Sequence, residues 1–290
     1  MRGTTLSRFA RRIPILAGLL TGALLTGCAA KSAPADTEAD PRQFLSGTVR
    51  VGVSGDEYPG WNRVINGRRF GFDIAVVEAL ASYFHFTPQY VEVSIPDRMN
   101  KLVAGEVQLV VSNFSMTTER EKDVDFAGPY FVDAQSFFHW TDATDLLQIP
   151  PSQICTPNGT TAADRLLQLG WRPRLEQSLS ACMNKFLTSR DKKMFVSTDA
   201  SILAAFARGH GMLPPKPIPI GGIEQYGVGL PNNRPKLCAE VNKALELFLA
   251  NEWQTAFGTY LQDSVDIAAK RPGALRPCDP GPSPSTPTPR

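Results

Sequence analysis

The sequence has no excess charge of either sign. Thirty Lys and Arg stand against 28 Asp and Glu, and the formal charge of +2 is spread without a basic run, so nucleic acid is not an expected partner. Histidine is scarce: His85, His139 and His210 are scattered with no metal-ligand spacing, and no G-x-S-x-G elbow, P-loop or H-E-x-x-H helix occurs. No catalytic residue, metal or cofactor is therefore nominated. None of the five cysteines forms a close C-x-x-C pair, which argues against a zinc site. The one long apolar stretch, Ile13 to Leu25, falls short of the roughly 20 residues a spanning helix needs. What remains is a globular composition, 42% apolar and 20% charged, over 290 residues, enough for two ordinary domains.

That apolar stretch follows Arg2, Arg8, Arg11 and Arg12 and stops at Thr26-Gly27-Cys28, the pattern of a signal peptide over residues 1–27. Leu25-Thr26-Gly27-Cys28 resembles the lipobox of bacterial lipoproteins, which implies acylation of Cys28 and attachment to membrane lipid at the outer face of the cell membrane. A chance cysteine at the end of an ordinary secretory signal is the competing reading. Residues 28–43, rich in Ala, Ser, Pro, Asp and Glu, read as a flexible tether, and residues 269–290 as a Pro/Ser/Thr-rich tail without packed structure except where Cys278 pins it. Export places the other four cysteines, Cys155, Cys182, Cys238 and Cys278, in an oxidising compartment, where they form two bridges in one of three pairings.

The folded part begins with the β-branched run Thr48 to Val53, a strand followed by a turn-prone loop. Ile74, Val77, Leu80, Ala81 and Phe84 recur at helical spacing. Gln89–Val93 reads as a strand, Arg98–Val103 as a short helix ended by Gly105, and Val107–Val111 as a third strand. Alternating strands and helices imply an α/β layer with a mainly parallel sheet, whose ligands gather in the loops beyond the strand ends, here 54–66 and 112–120.

Several segments then carry a family resemblance. Gly71-Phe72-Asp73-Ile74, the run Ser112 to Arg120 with Val124-Asp125-Phe126 and Gly128-Pro129-Tyr130, Gly159-Thr160-Thr161, Ser197-Thr198-Asp199 and Tyr226 to Leu230 resemble segments of the type II periplasmic (extracellular) solute-binding proteins, family 3. These serve polar amino acid ABC importers. The segment Tyr58-Pro59-Gly60-Trp61, with Cys155 and Cys182, most resembles the glutamate, glutamine and aspartate binders. The resemblance implies an α/β fold of two lobes, each a mainly parallel sheet flanked by helices, joined by a two-strand hinge near Phe137–Thr141 and Pro217–Gly222. Lobe one would comprise residues 44–139 and 223–268, and lobe two residues 140–222. That map favours the bridges Cys155–Cys182 and Cys238–Cys278, neither of which locks the hinge. It also implies a monomer that takes a small amino acid and meets a membrane permease, with a sensing module or a cyclohexadienyl dehydratase-like enzyme as alternatives.

A zwitterionic amino acid needs a guanidinium fork and free amides for its carboxylate, and an acceptor for its ammonium. Arg120 fits the first need, with donors around Asn113 and Ser115; the competing reading pairs it with Glu119 or Glu121 on the surface. Asp199 fits the second, and its competing role is the N-cap of the helix that starts at Ala200. Thr160 and Thr161 open a helix whose amides point at an anion. Tyr58, Trp61 and Arg63, with Glu57 nearby, lie in the loop expected to read the side chain, and Phe114 is expected to form an aromatic wall. Arg63 pointing inward favours an acidic side chain.

Overall fold

The computed structural model describes residues 38–213, 218–261 and 267–278. The signal segment, Cys28, most of the tether, Pro217 and the tail beyond Cys278 lie outside the described residues. After a helical turn, α1 (Pro41–Phe44), come β1 (Thr48–Ser54), a hairpin of β2 (Arg63–Ile65) and β3 (Arg68–Phe70), α2 (Phe72–Phe84), β4 (Thr87–Val93), α3 (Arg98–Val103), β5 (Leu109–Val110) and β6 (Val124–Asp133). Then follow β7 (Gln135–Phe138), β8 (Ile154–Pro157), α4 (Thr161–Gln168), β9 (Arg174–Glu176), α5 (Leu179–Thr188), β10 (Phe195–Asp199) and α6 (Ala200–Gly209). The chain closes with β11 (Glu224–Pro231), α7 (Pro235–Asn251), α8 (Trp253–Tyr260) and α9 (Ile267–Lys270).

Two main sheets result, in the orders β4-β1-β5-β11-β6 and β7-β10-β8-β9. Parallel pairing builds the heart of each, β4 and β5 against β1, and β8 against β10 and β9. The antiparallel pairs belong to β6, β7 and β11, the strands that carry the chain out of one sheet and back. The outward crossing is the single residue Ala134, ahead of the Phe137–Thr141 stretch expected from sequence. Gln135–Phe138 are already paired with β10 in the second sheet, which moves the start of that layer to residue 135 rather than 140. On the return, Ile218 and Ile220 still bond Ser136 and Gln135, and the chain rejoins the first sheet at Glu224.

Both bridges form with the favoured pairing. Cys155–Cys182 joins β8 to α5 and Cys238–Cys278 joins α7 to the C-terminal segment, with Cα separations of 5.6 and 5.8 Å. Neither ties one main sheet to the other. The ends are more ordered than their composition implies. Glu38 accepts the amides of Lys236 and Leu237 in the first turn of α7 at 3.0 and 2.9 Å, where a carboxylate satisfies donors that have no partner inside the helix. At the other end Lys270 is buried, and Arg276 donates its amide to the Gly128 carbonyl at 2.6 Å. The described part of the segment, expected to lack packed structure except where Cys278 pins it, is thus also held to the first sheet at Lys270 and Arg276.

The first layer is organised around α2. Its buried residues Phe72, Ile74, Val77, Leu80 and Phe84 face the core, each worth about 1.5 to 3 kcal/mol when fully buried. Gly71 precedes it at φ 136°, where a Cβ would lie 2.2 Å from the Trp61 carbonyl oxygen, so only glycine lets the loop pass. Phe72 then meets Trp61, Phe131, Phe248 and Trp253 edge-on at centroid distances of 5.3 to 6.0 Å.

Asp73, one residue on, is buried and accepts from the Tyr130 hydroxyl at 2.8 Å and from the Asn113 amide at 3.0 Å, which fastens the loop after β5 to this core. Burial raises its carboxyl from an ordinary 3.8 to about 7, despite those two bonds. The folded state thus holds this proton more tightly than the unfolded chain. Asp73 supports the fold best below its unfolded value and loses that contribution as pH rises to about 7. The wild type should therefore lose stability relative to Asp73→Asn by up to about 1.4 kcal/mol per pH unit between about pH 4 and 7. Urea melts of both proteins across that range check this; parallel curves would mean that Asp73 is ionised throughout.

Candidate functional site

The loop after β5 and the turn that follows it carry the cationic half of the site. Phe114 is buried, packed edge-on against Phe126 at 4.8 Å, and two guanidinium carbons sit over its ring, Arg98 at 4.4 Å and Arg120 at 5.0 Å. The ring, expected from sequence to form an aromatic wall, is a buried platform for two cations, a cation–π arrangement. Arg120 does not pair with its neighbours on the surface: Glu119 takes Lys122 and Glu121 takes Arg276. Instead it donates to the Ser115 carbonyl at 2.8 Å and to the Gly159 carbonyl at 3.0 Å, reaching from the loop after β5 to the loop before α4. Burial lowers its pKa, against the opposing effect of Asp164, Glu224 and Asp199.

Arg98, which sequence reasoning missed, completes this half. It is buried at the start of α3, donates to the Ser112 carbonyl at 2.7 Å, and has no ion-pair partner among the described residues. Burial first, and then the charge of Arg120, brings its pKa down to about 9. Its signal in the sequence was slight, because Asp97-Arg98 at the head of a short helix reads as an ordinary solvated pair.

The anionic half comes from the end of β6, the end of β10 and the start of β11. Asp199 is buried at the N-cap position of α6 but makes no side-chain cap bond. Its carboxylate accepts from the Tyr226 hydroxyl at 2.5 Å, and burial, with Glu224 and Asp133 nearby, raises its pKa well above the usual carboxylate range. The α6 amide at Ser201 is satisfied by Asp133 at 3.1 Å, while Ala200 bonds the Ala134 carbonyl. Asp133 thus does the capping that leaves Asp199 free for other work. Glu224 accepts from Gln135 at 2.8 Å and from the Thr161 hydroxyl at 3.0 Å.

The remaining expected residues divide. Tyr58 is buried within electrostatic reach of Arg98 and Asp199, and burial raises its pKa. Ser115 stands opposite Tyr226 in an isolated bridge whose bonds are made by its neighbours, Met116 to Gln225 and Gly227 to Phe114, which keeps its own amide out of the pairing. Asn113 has its amide committed to Asp73, so its backbone is not the free donor expected, but its buried carboxamide has no hydrogen-bond partner among the described residues. The Thr160 hydroxyl caps α4 by accepting from Ala163 at 3.1 Å and is likewise committed. Trp61 is a core residue, wholly buried edge-on against Phe72, Phe131 and Tyr226. Arg63 lies on the exposed hairpin strand β2 and is not brought to the site, because the hairpin turns that face to solvent.

Comparison with known proteins is consistent with this geometry. Over 277 residues, 88% of this chain and 92% of the relative, the sequence is 25% identical to the glutamate-binding protein GluB of Corynebacterium glutamicum. Among solved structures, a solute receptor for L-cysteine from Neisseria gonorrhoeae superposes with a TM-score of 0.70 at 20% identity, covering 80% of this chain and 97% of that one. An ancestral arginine-binding protein bound to glutamine gives 0.67 at 21% identity, covering 76% of this chain and all of that one. The sequence model of one family matches residues 49–263, and the chain accordingly belongs to the bacterial extracellular solute-binding proteins, family 3.

Proposed function

We propose that the protein captures a polar amino acid, with glutamate, aspartate or glutamine favoured, between its two sheets and delivers it to an ABC importer. The observation that carries this reading is the pair of guanidiniums on the Phe114 ring, the buried Arg98 and the partly buried Arg120, set within electrostatic reach of Asp199. In this reading Arg120 takes the α-carboxylate. Its present acceptors are neutral carbonyls, which a carboxylate outcompetes because charge-assisted bonds are roughly twice as strong. The Ser115 amide, the Asn113 carboxamide and the first-turn amides of α4 add donors. Asp199 takes the ammonium. Arg98, with no carboxylate of its own, takes an acidic or amide side chain, which supports the acidic and amide ligands without Arg63. Residues up to Asp133 and from Glu224 would then move as one lobe and residues 135–222 as the other.

Calorimetry on purified variants tests the clamp. Arg120→Ala and Asp199→Ala should each weaken binding by roughly 30-fold to several thousand-fold, since truncating one partner of a desolvated charge pair costs about 2 to 5 kcal/mol. Arg120→Lys should recover little, because a point ammonium cannot reproduce the fork. Arg98→Gln should weaken glutamate more than glutamine. Folded Arg120→Ala that binds the wild type's best amino acid within about threefold of wild type removes the clamp.

The same reading anchors the protein outside the cell membrane through acylated Cys28, acting as a monomer. No helix among the described residues is long and apolar enough to cross a membrane. Cys28→Ser should therefore release the mature chain into the soluble fraction, as fractionation and mass spectrometry would show. Membrane retention of cleaved Cys28→Ser contradicts the anchor.

A further inference from the structure

The C-terminal segment that holds Lys270 lies past the residues matched by the family, 49–263, and yet returns to the first sheet. Cys278 is bonded to Cys238 on α7, the Arg276 carbonyl accepts from Asn242 at 3.0 Å, and the Arg276 guanidinium pairs with Glu121 at 2.8 Å. So secured, the segment delivers the Lys270 ammonium to the Asp133 carboxylate, where both groups are buried. Asp133 is the last residue of β6, beside the Ala134 crossing. Besides Lys270, it accepts from the Ala134 amide at 2.9 Å and from the Ser201 amide and hydroxyl, with the Tyr226 hydroxyl 3.4 Å away. Tyr226 in turn bonds Asp199. One hydrogen-bonded chain therefore runs from the C-terminal segment through the crossing to the residue proposed to take the ligand's ammonium.

Charge shows what Lys270 contributes. Asp133, Asp199 and Glu224 are three buried carboxylates in one cluster with Tyr226, and Lys270 is the one cation in direct contact with it among the described residues. Arg98 and Arg120 face the cluster across the site without touching its carboxylates. Like charges brought together in a buried site cannot all ionise, and the group takes up a proton unless a cation offsets one of them.

We propose that Lys270 is a positioning residue for ligand capture: by pairing with Asp133 it keeps that carboxylate as the cap of α6 and eases the ionisation of Asp199 against the ammonium of a bound amino acid. This rests on the functional reading above. Without Lys270 the uncompensated Asp133 carboxylate makes Asp199 hold its proton more tightly, so binding weakens most at low pH and recovers as that proton leaves.

The test measures affinity for L-glutamate and L-glutamine from pH 6 to pH 9 on the mature chain. Lys270→Met should weaken binding about tenfold or more at pH 6 and approach wild type at pH 9, giving a steeper pH profile than wild type. Lys270→Arg should keep the wild-type profile, and Asp133→Asn/Lys270→Met, which removes both charges while the Asn carbonyl oxygen can still accept from the Ser201 amide, should restore it. The double variant also serves if Lys270→Met fails to fold. Wild-type binding, measured first, separates the two ideas: its absence overturns the functional reading and this proposal with it. With wild-type binding intact, the proposal alone is overturned if folded Lys270→Met, or the double variant in its place, contradicts these profiles. For Lys270→Met that means a lower melting temperature with an unchanged pH profile; for the double variant, a profile that differs from wild type.

Discussion

The first turn of α6 needs an acceptor for its amides, and the residue at its N-cap position, Asp199, does not supply one. Asp133 does, from the neighbouring strand, and the arrangement of the site depends on that substitution. Were Asp199 to cap its own helix, its carboxylate would be bound to backbone and turned from the arginines. Asp133 reaches the helix because β6 runs straight into the crossing at Ala134, so the same residue that ends the first sheet fixes the start of α6 in the second layer.

The cationic side obeys a similar economy. A buried guanidinium is costly to desolvate, and two near each other repel, yet the Arg98 and Arg120 guanidiniums share one aromatic ring and, among the described residues, bond carbonyls. Both have pKa values lowered by burial, so the site holds positive charge under tension. An anionic group between them would relieve that tension, which is the reason for proposing that the ligand's carboxylate goes to the arginines and its ammonium to the opposing cluster. Asp73 and Tyr130 hold the loop that carries Phe114 in register with the core.

Much of this was legible. The apolar spacing of α2, the β-branched run of β1 and the Ser112–Arg120 segment marked the first layer, and the two bridges followed from the order of the lobes. The placement of Arg120 and Asp199 beyond strand ends was legible as well, because strand-end loops are where an α/β fold presents charge. The misses share a cause: a side chain's direction is set by packing that composition does not encode. Trp61 and Arg63, two residues apart, go to the core and to solvent; Arg98 on a short helix goes inward. The Pro-rich composition after residue 269 concealed Lys270, whose burial depends on a disulfide and an ion pair from distant parts of the chain.

The central claim is that the two charges of one amino acid are held by opposite sides of the site. It is tested most directly by titrating the wild-type protein with L-glutamate, with 2-oxoglutarate, which lacks the ammonium, and with 4-aminobutyrate, which lacks the α-carboxylate. The account predicts that glutamate binds and that each analogue loses at least about 30-fold, matching the removal of one desolvated charge partner. Binding of either analogue within about threefold of glutamate would contradict it.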